Sequence, residues 1–287
     1  MTYLVLSILF SVVTVSFFKL FERFGVQVFP AIVVNYFSCV LMGTFFGSHA
    51  VALTAFWQEP WFWLATILGV LFISIFYAIG QTSQRMGISV SMVAAKLSVV
   101  IPVSASVFLY NEPLTWIKLM GILLSLVAVV CISIKDGGKA NHAQVWLLPI
   151  IVFVGSGLID SLLNHANMQY IPPANEGSII TIVFLSAGFW GMLALAIGTL
   201  VGKAPTITRK DVIWGAALGV PNYFSMFFLL VTLSHFNEAA LIFPINNIGI
   251  AGVSTLVSYM FFVERLSKLN LLGLGLAIVA ILILSFS

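Results

Sequence analysis

Residues 88–109 read ISVSMVAAKLSVVIPVSASVFL. The stretch is long enough to cross a bilayer, for which a helix needs roughly 20 apolar residues. Lys96 stands well inside it. A charge at that depth costs at least about 2.5–3.5 kcal/mol on insertion scales, and such residues face a cavity or a partner. The expectation is a membrane protein with a polar pathway through its middle, and Lys96 on that pathway.

Composition points the same way. Of 287 residues, 61% are hydrophobic and only 7% are charged. Soluble domains carry about 25% charged residues, and a soluble protein of this length needs a far more polar surface. The chain is therefore read as an all-α, polytopic membrane protein with no soluble domain. Its net charge of +3 is small. With no basic run and no RNA-binding motif, no nucleic-acid partner is expected. Cys39 and Cys131 both lie in apolar stretches and suggest neither a disulfide nor a metal pair. His49, His142, His165 and His235 are scattered without ligand spacing. No metal or cofactor is expected. The first apolar stretch, about residues 3–18, lacks a basic leader and a small-residue cleavage site, so it reads as a retained helix.

Charges, prolines and Asn/Gly clusters divide the chain into ten apolar runs. They cover about 2–20, 29–47, 61–82, 88–109, 114–134, 145–165, 177–202, 211–233, 238–261 and 267–286. Breaks such as Arg85-Met86-Gly87 are short, which forces neighbouring spans to run antiparallel. Trp57, Trp61, Trp63, Trp116, Trp146 and Trp214 fall near expected span ends, where an aromatic belt belongs. Gly43…Gly47, Gly198…Gly202 and Gly215…Gly219 have the small-residue spacing that lets helices approach closely.

The chain also repeats itself. Leu68-Gly69-Val70 recurs as Leu218-Gly219-Val220. Glu112-Pro113-Leu114-Thr115 recurs as Glu264-Arg265-Leu266-Ser267, and a glycine follows each glutamate nine residues on, at Gly121 and Gly273. The offset drifts from 150 to 152, so one small indel suffices. Residues 1–134 and 145–287 then form two five-span units. Because five is odd, the second unit enters the membrane from the opposite side. Such inverted repeats place a substrate site near the midplane, between the halves around a central cavity. At an offset of 150, Lys96 falls on Asn246, with Asn247 beside it.

Ten spans, two inverted halves and the twice-occurring Glu-x-Leu-[Thr/Ser] turn resemble the drug/metabolite transporter superfamily, above all its EamA-like ten-helix members. The resemblance covers essentially the whole chain. It implies a central cavity lined by spans one, three, four, six, eight and nine. The chain departs from the small multidrug exporters of that superfamily, which use an acidic residue within the first span. Here Glu22 lies at the end of that span, which counts against a cation-for-proton drug mechanism.

Asp160 is the acidic residue well inside a span, with Asn164 one turn on along the same face. Counted from the span starts, Asp160 lies roughly 10 Å deeper than Lys96. That separation suits the two ends of a zwitterion better than a simple ion pair. Tyr77 and Gln81 in span three, and Asn222 and Tyr223 after the Pro221 kink in span eight, complete the candidate set. Phe76 and Phe227 are aromatic on the same repeat-related spans. Pro102 and Pro244 interrupt spans four and nine and free backbone carbonyls. Glu112 and Glu264 read as starts of the helices that follow them, favoured there by the helix dipole.

Positive charge sets orientation. Lys19, Arg23, Arg85, Lys135, Lys139, Lys203, Arg209, Lys210, Arg265 and Lys268 follow odd-numbered spans, against Lys118 alone after an even one. The bias puts both termini outside a cell, or inner, membrane. The expected function is a secondary transporter or exporter of a small polar or amphipathic metabolite, an amino acid or derivative first. Lys96 meets a carboxylate, Asn246 and Asn247 hydrogen-bond, and Asp160 meets an amine or a proton. Alternatives are an exchanger of phosphorylated anions, which would need more cavity cations, and a drug or amine exporter. No nucleotide-binding motif is present, so coupling is to protons or to the substrate gradient alone. An intramembrane enzyme would need a nucleophile near Asp160 and His165, and none stands out. The partners are a small molecule and the bilayer, and a monomer would suffice.

Overall fold

A chain in hydrocarbon has no water to bond its backbone, so it closes those bonds within helices. The computed structural model describes residues 2–46, 61–109, 115–133, 147–170, 176–202, 206–235, 239–264 and 266–285, and among them there is no strand. The helices are α1 (Thr2–Phe24), α2 (Val28–Phe46), α3 (Phe62–Met86), α4 (Ile88–Leu97), α5 (Val100–Leu109), α6 (Trp116–Ser133), α7 (Leu147–Tyr170), α8 (Glu176–Leu200), α9 (Arg209–His235), α10 (Ala239–Phe262) and α11 (Lys268–Ser285).

Among the described residues, seven helical stretches are long and apolar enough to cross a membrane: Thr2–Phe24, Val28–Phe46, Phe62–Met86, Ile88–Ala105, Ile180–Leu200, Arg209–Leu229 and Ile245–Phe262. Three further apolar stretches, Trp116–Ile132, Leu147–Leu163 and Lys268–Leu284, are shorter. Those three lie in helices of 18, 24 and 18 residues, α6, α7 and α11. Trp63 and Trp116 are exposed near the starts of α3 and α6, as an aromatic belt requires. Trp57 and Trp146 lie outside the described residues.

Close approach between helices rests on small residues. Gly215 and Gly219 of α9 lie against the backbone of α2 at Ala31 and Asn35, so a Cβ at either would collide with it. Of the other expected glycine pairs, Gly43 packs on Thr181 of α8, while Gly202 meets open space in a positive-φ turn. Packing follows a pattern. α2 lies on α9 and α3 on α8; α1 lies on α9 and α3 on α7; α1 lies on α10 and α4 on α7; α6 and α11 lie on each other. Individual contacts pair up as well. Gly69 meets Ser186, and Gly219 meets Ser38. Gly43 meets Thr181, and Gly191 meets Val33. Gly121 meets Leu284, and Gly273 meets Ile132.

The repeated turn has a local explanation, and it corrects one expectation. Thr115 Oγ1 accepts the Lys118 N–H at 3.2 Å, and Ser267 Oγ accepts the Asn270 N–H at 3.1 Å. The hydroxyl residues are therefore the N-caps of α6 and α11. Glu264 does not cap α11. Its carboxylate accepts the Ile88 N–H at 3.0 Å, at the start of α4. Glu112 lies outside the described residues. The Glu264 side chain is set by tertiary contact, which the local dipole argument ignores.

Candidate functional site

The site begins at a break. Proline has no N–H and its ring crowds the carbonyl four residues back. For Pro102 that residue is Ser98, and there the helix divides into α4 and α5. The Ile101 N–H turns to the Ser98 carbonyl at 2.9 Å, a tighter bond than the α-helical one. Lys96 sits in the last turn of α4, where the negative end of the helix dipole favours a cation. The span that carries the deep charge is thus also the span with interrupted backbone bonding.

Asp160 of α7 comes to this break. The single Ser98 hydroxyl proton is shared between the Ala95 carbonyl at 2.6 Å and Asp160 Oδ2 at 3.3 Å. Lys96 and Asp160 interact electrostatically without a direct ion pair. The Ser98 bond brings the Asp160 carboxylate to a residue two positions on from Lys96, at the end of α4. Counting residues measures rise along each helix, whereas the tilt and offset of α7 against α4 come from packing.

The exposure of Asp160 decides which way it looks. On α7, Leu147, Ile151, Val154 and Leu158 form an exposed apolar stripe. Asp160 is also exposed, but at 100° per residue it lies roughly 160° round the helix from the middle of that stripe. It opens inward, away from lipid. Lys96 is half-buried beside fully buried Ala94 and Leu97. On α1 the outer stripe is Val5, Leu9 and Val13. Half-buried Ser11 lies on the opposite side of that helix.

The other candidates divide. Asn247 is half-buried and has no hydrogen bond among the described residues. Asn246 is buried and accepts from Ser7 Oγ of α1 at 3.3 Å, while Ser7 also bonds the Ser225 carbonyl at 2.8 Å. It joins α10 to α1 and α9 rather than lining open space. Asn222 Nδ2 donates to Asn35 Oδ1 at 3.1 Å and to Cys39 Sγ at 3.5 Å, a tie between α9 and α2. Tyr223 is buried and stacks on Phe227, with ring centroids 5.9 Å apart. Tyr77 shares the exposed outer stripe of α3 with Trp63, Ile67 and Val70, and packs on Phe29. Gln81 follows one turn later on that side. Among the described residues, no hydrogen bond, ion pair or ring contact joins any of these to Lys96. The Asn164 side chain lies outside the described residues. Phe76 packs on Phe18 and Tyr36 in the interior.

Ser98 and Ser7 are the polar partners that sequence reading passed over. A serine in an apolar helix is common, and only a polar group across the interface marks it out. Among the described residues, no group of three or more His, Cys, Asp or Glu is placed to hold a metal ion.

Comparison with known proteins adds fold and kinship. No family model matches the chain. It is 27% identical over 292 residues to an uncharacterized protein of Haemophilus influenzae, covering 99% of this chain and 97% of that one. A solved crystal structure of a protein matches with a TM-score of 0.62 at 15% identity, covering 98% of this chain and 96% of that one. That likeness extends over nearly the whole length, so it concerns the complete arrangement of helices.

Proposed function

We propose that this chain is a secondary transporter of a small zwitterionic metabolite, an amino acid or derivative, working by alternating access in a cell membrane. The observation that carries the reading is the pair Lys96 and Asp160. Two opposite charges stand at a mid-span helix break, face each other without closing into an ion pair, and lie on surfaces turned away from lipid. A broken helix with charged groups at the midplane is how many secondary transporters build a substrate site. Lys96 would take the carboxylate. Asp160, oriented by Ser98, would take the amine, or a proton when coupling is to a proton gradient. Asn247 is free to bond the substrate from α10.

The inverted repeat is part of the proposal, with 1–134 and 145–287 as its halves and the ten runs as its spans. It is supported by the exchange of contacts. Gly69–Ser186 matches Gly219–Ser38, and Gly121–Leu284 matches Gly273–Ile132, at offsets of 148 to 152, against the 150 to 152 read from the sequence. Membership of the drug/metabolite transporter superfamily rests on the same repeat and its turns. The charge bias places both termini outside.

The test is substrate-dependent thermal stabilisation of the purified protein against amino acids, amines and sugar phosphates, with Lys96→Ala and Asp160→Asn in parallel. A zwitterion that stabilises the wild type and neither variant supports the reading. Stabilisation by a sugar phosphate, lost in Lys96→Ala and kept in Asp160→Asn, would replace it with an anion exchanger.

A further inference from the structure

Outside the site, one cluster ties together the helices around it. At the end of the molecule that carries Arg23 and Arg85, Lys19 Nζ of α1 lies 3.2 Å from Glu264 Oε1, just past α10. Lys19 also donates to the Gln84 carbonyl of α3 at 3.0 Å and pairs with Glu22 at 3.3 Å. The other Glu264 oxygen accepts the Ile88 N–H at 3.0 Å and the Ser258 hydroxyl. One carboxylate thus holds α1, the start of α4 and the end of α10.

The surroundings are built for it. Lys19 and Glu264 side chains are only 17% and 15% exposed, so solvent ions screen the pair little. Gly87, at φ 108, is the turn between α3 and α4, and a Cβ there would fall 2.7 Å from Glu264 Oε2. Val263, at φ 53, is a β-branched residue in the left-handed region, a strained state that persists only where contacts over-determine it. It carries Glu264 back so that the Glu264 N–H bonds the Ser258 carbonyl at 3.2 Å. Along α4, Ile88 and Lys96 are about 12 Å apart by rise. Any movement of the α4 start therefore reaches the proposed site through one short helix.

We propose that Lys19–Glu264 is a latch closing the basic end of the transport pathway, and that it must break for the site to open on that side. The inference rests on the transporter reading. In this reading the Lys19–Glu264 pair closes the basic end, while half-buried Lys96 and Ser11 and exposed Asp160 face the interior.

The experiment uses the full chain with Cys39→Ser, Cys131→Ser and a reporter, Ser11→Cys. Sealed vesicles of both orientations are treated with a membrane-impermeant maleimide. Labelling is expected to be slow from the basic side, and to rise about tenfold there in Glu264→Gln or Lys19→Met through a shifted open-to-closed ratio. Lys19→Arg should stay slow. Lys19→Met leaves the Ile88 N–H bond in place, so it decides the matter should Glu264→Gln not fold. Unchanged basic-side labelling in folded variants, with normal labelling from the other side, overturns the latch and leaves the transporter reading standing. A reporter unlabelled from both sides in every form removes the accessible interior, and both readings with it.

Discussion

Asn222 of α9 donates to Asn35 of α2 at 3.1 Å, and Asn35 is completely buried. The bond lies between two helices that also meet through Gly215 and Gly219. It ties the packing of α2 to α9. Interhelical hydrogen bonds in membranes average about 0.6 kcal/mol and reach about 1.7. Asn222→Leu should therefore lower thermal stability by an amount in that range. Apparent substrate affinity, measured by titrated thermal shift, should change less than about twofold, well under the tenfold that 1.4 kcal/mol represents. A selective loss of affinity with unchanged stability would move Asn222 into the site.

Lys96 and Asp160 should behave in the opposite way. Replacing either leaves the other charge facing the interior alone, and binding of a zwitterion loses one of its two anchors. Charge-assisted hydrogen bonds contribute about 1.5–3 kcal/mol. Lys96→Ala and Asp160→Asn should each weaken binding by at least about tenfold, readable by calorimetry with the best substrate. Lys96→Arg keeps the charge and should retain part of the affinity.

Ser98 orients Asp160 and should not itself be needed for folding. Ser98→Ala removes the 3.3 Å bond to the carboxylate. Its expected effect is a severalfold rise in apparent Kd with a change in melting temperature near zero, since one neutral donor contributes about 1 kcal/mol. Ser98→Thr, which keeps the hydroxyl, should recover the wild-type value. A loss of folding in Ser98→Ala would mark the residue as structural.

Pro102 separates α4 from α5, so its removal tests the break. Pro102→Ala restores an N–H that can bond the Ser98 carbonyl and straighten the span. Stability should hold or rise while transport falls, measured as counterflow in proteoliposomes. Transport at the wild-type rate would make the break incidental.

Gly69 and Ser186 test the close approach of α3 and α8. A Cβ at Gly69 collides with the Ser186 side chain and backbone. Overpacking of this kind costs about 1–3 kcal/mol, so Gly69→Ala should unfold at a measurably lower temperature. Gly219→Ala should do the same against Ser38 and the Asn35 carbonyl. Equal stability of both variants with the wild type would mean that the two contacts are looser than described.

Much of the fold was readable because hydrophobic length is a one-dimensional signal. The runs at 2–20, 29–47 and 61–82 correspond to α1, α2 and α3. Pro102 announced its break, but Pro244 did not, since α10 runs unbroken from Ala239 to Phe262; a missing N–H weakens a helix and its neighbours decide whether it parts. Lys96 and Asp160 stood out because burying charge is costly whatever surrounds it. Tyr77 and Gln81 show where that reasoning stops. Polarity on a helix says nothing about which neighbour covers which face, and α3 turns its Trp63–Tyr77 side outward. Asn246 was readable by repeat as a match to Lys96, but its bond to Ser7 depends on α1 lying beside α10.

By itself, the amino-acid sequence determined a helical membrane chain with a deep lysine, a deep aspartate and a turn motif that occurs twice. Those features follow from hydrophobicity, charge burial and local hydrogen bonding, all of which act over one helix or less. Tertiary structure alone decided that Asp160 meets Ser98, that Asn222 is tied to Asn35, and that Glu264 closes on Lys19 and Ile88. Each of those contacts joins segments more than sixty residues apart, and their geometry is set by how small residues let particular helices approach, a property of surfaces in space rather than of order along the chain.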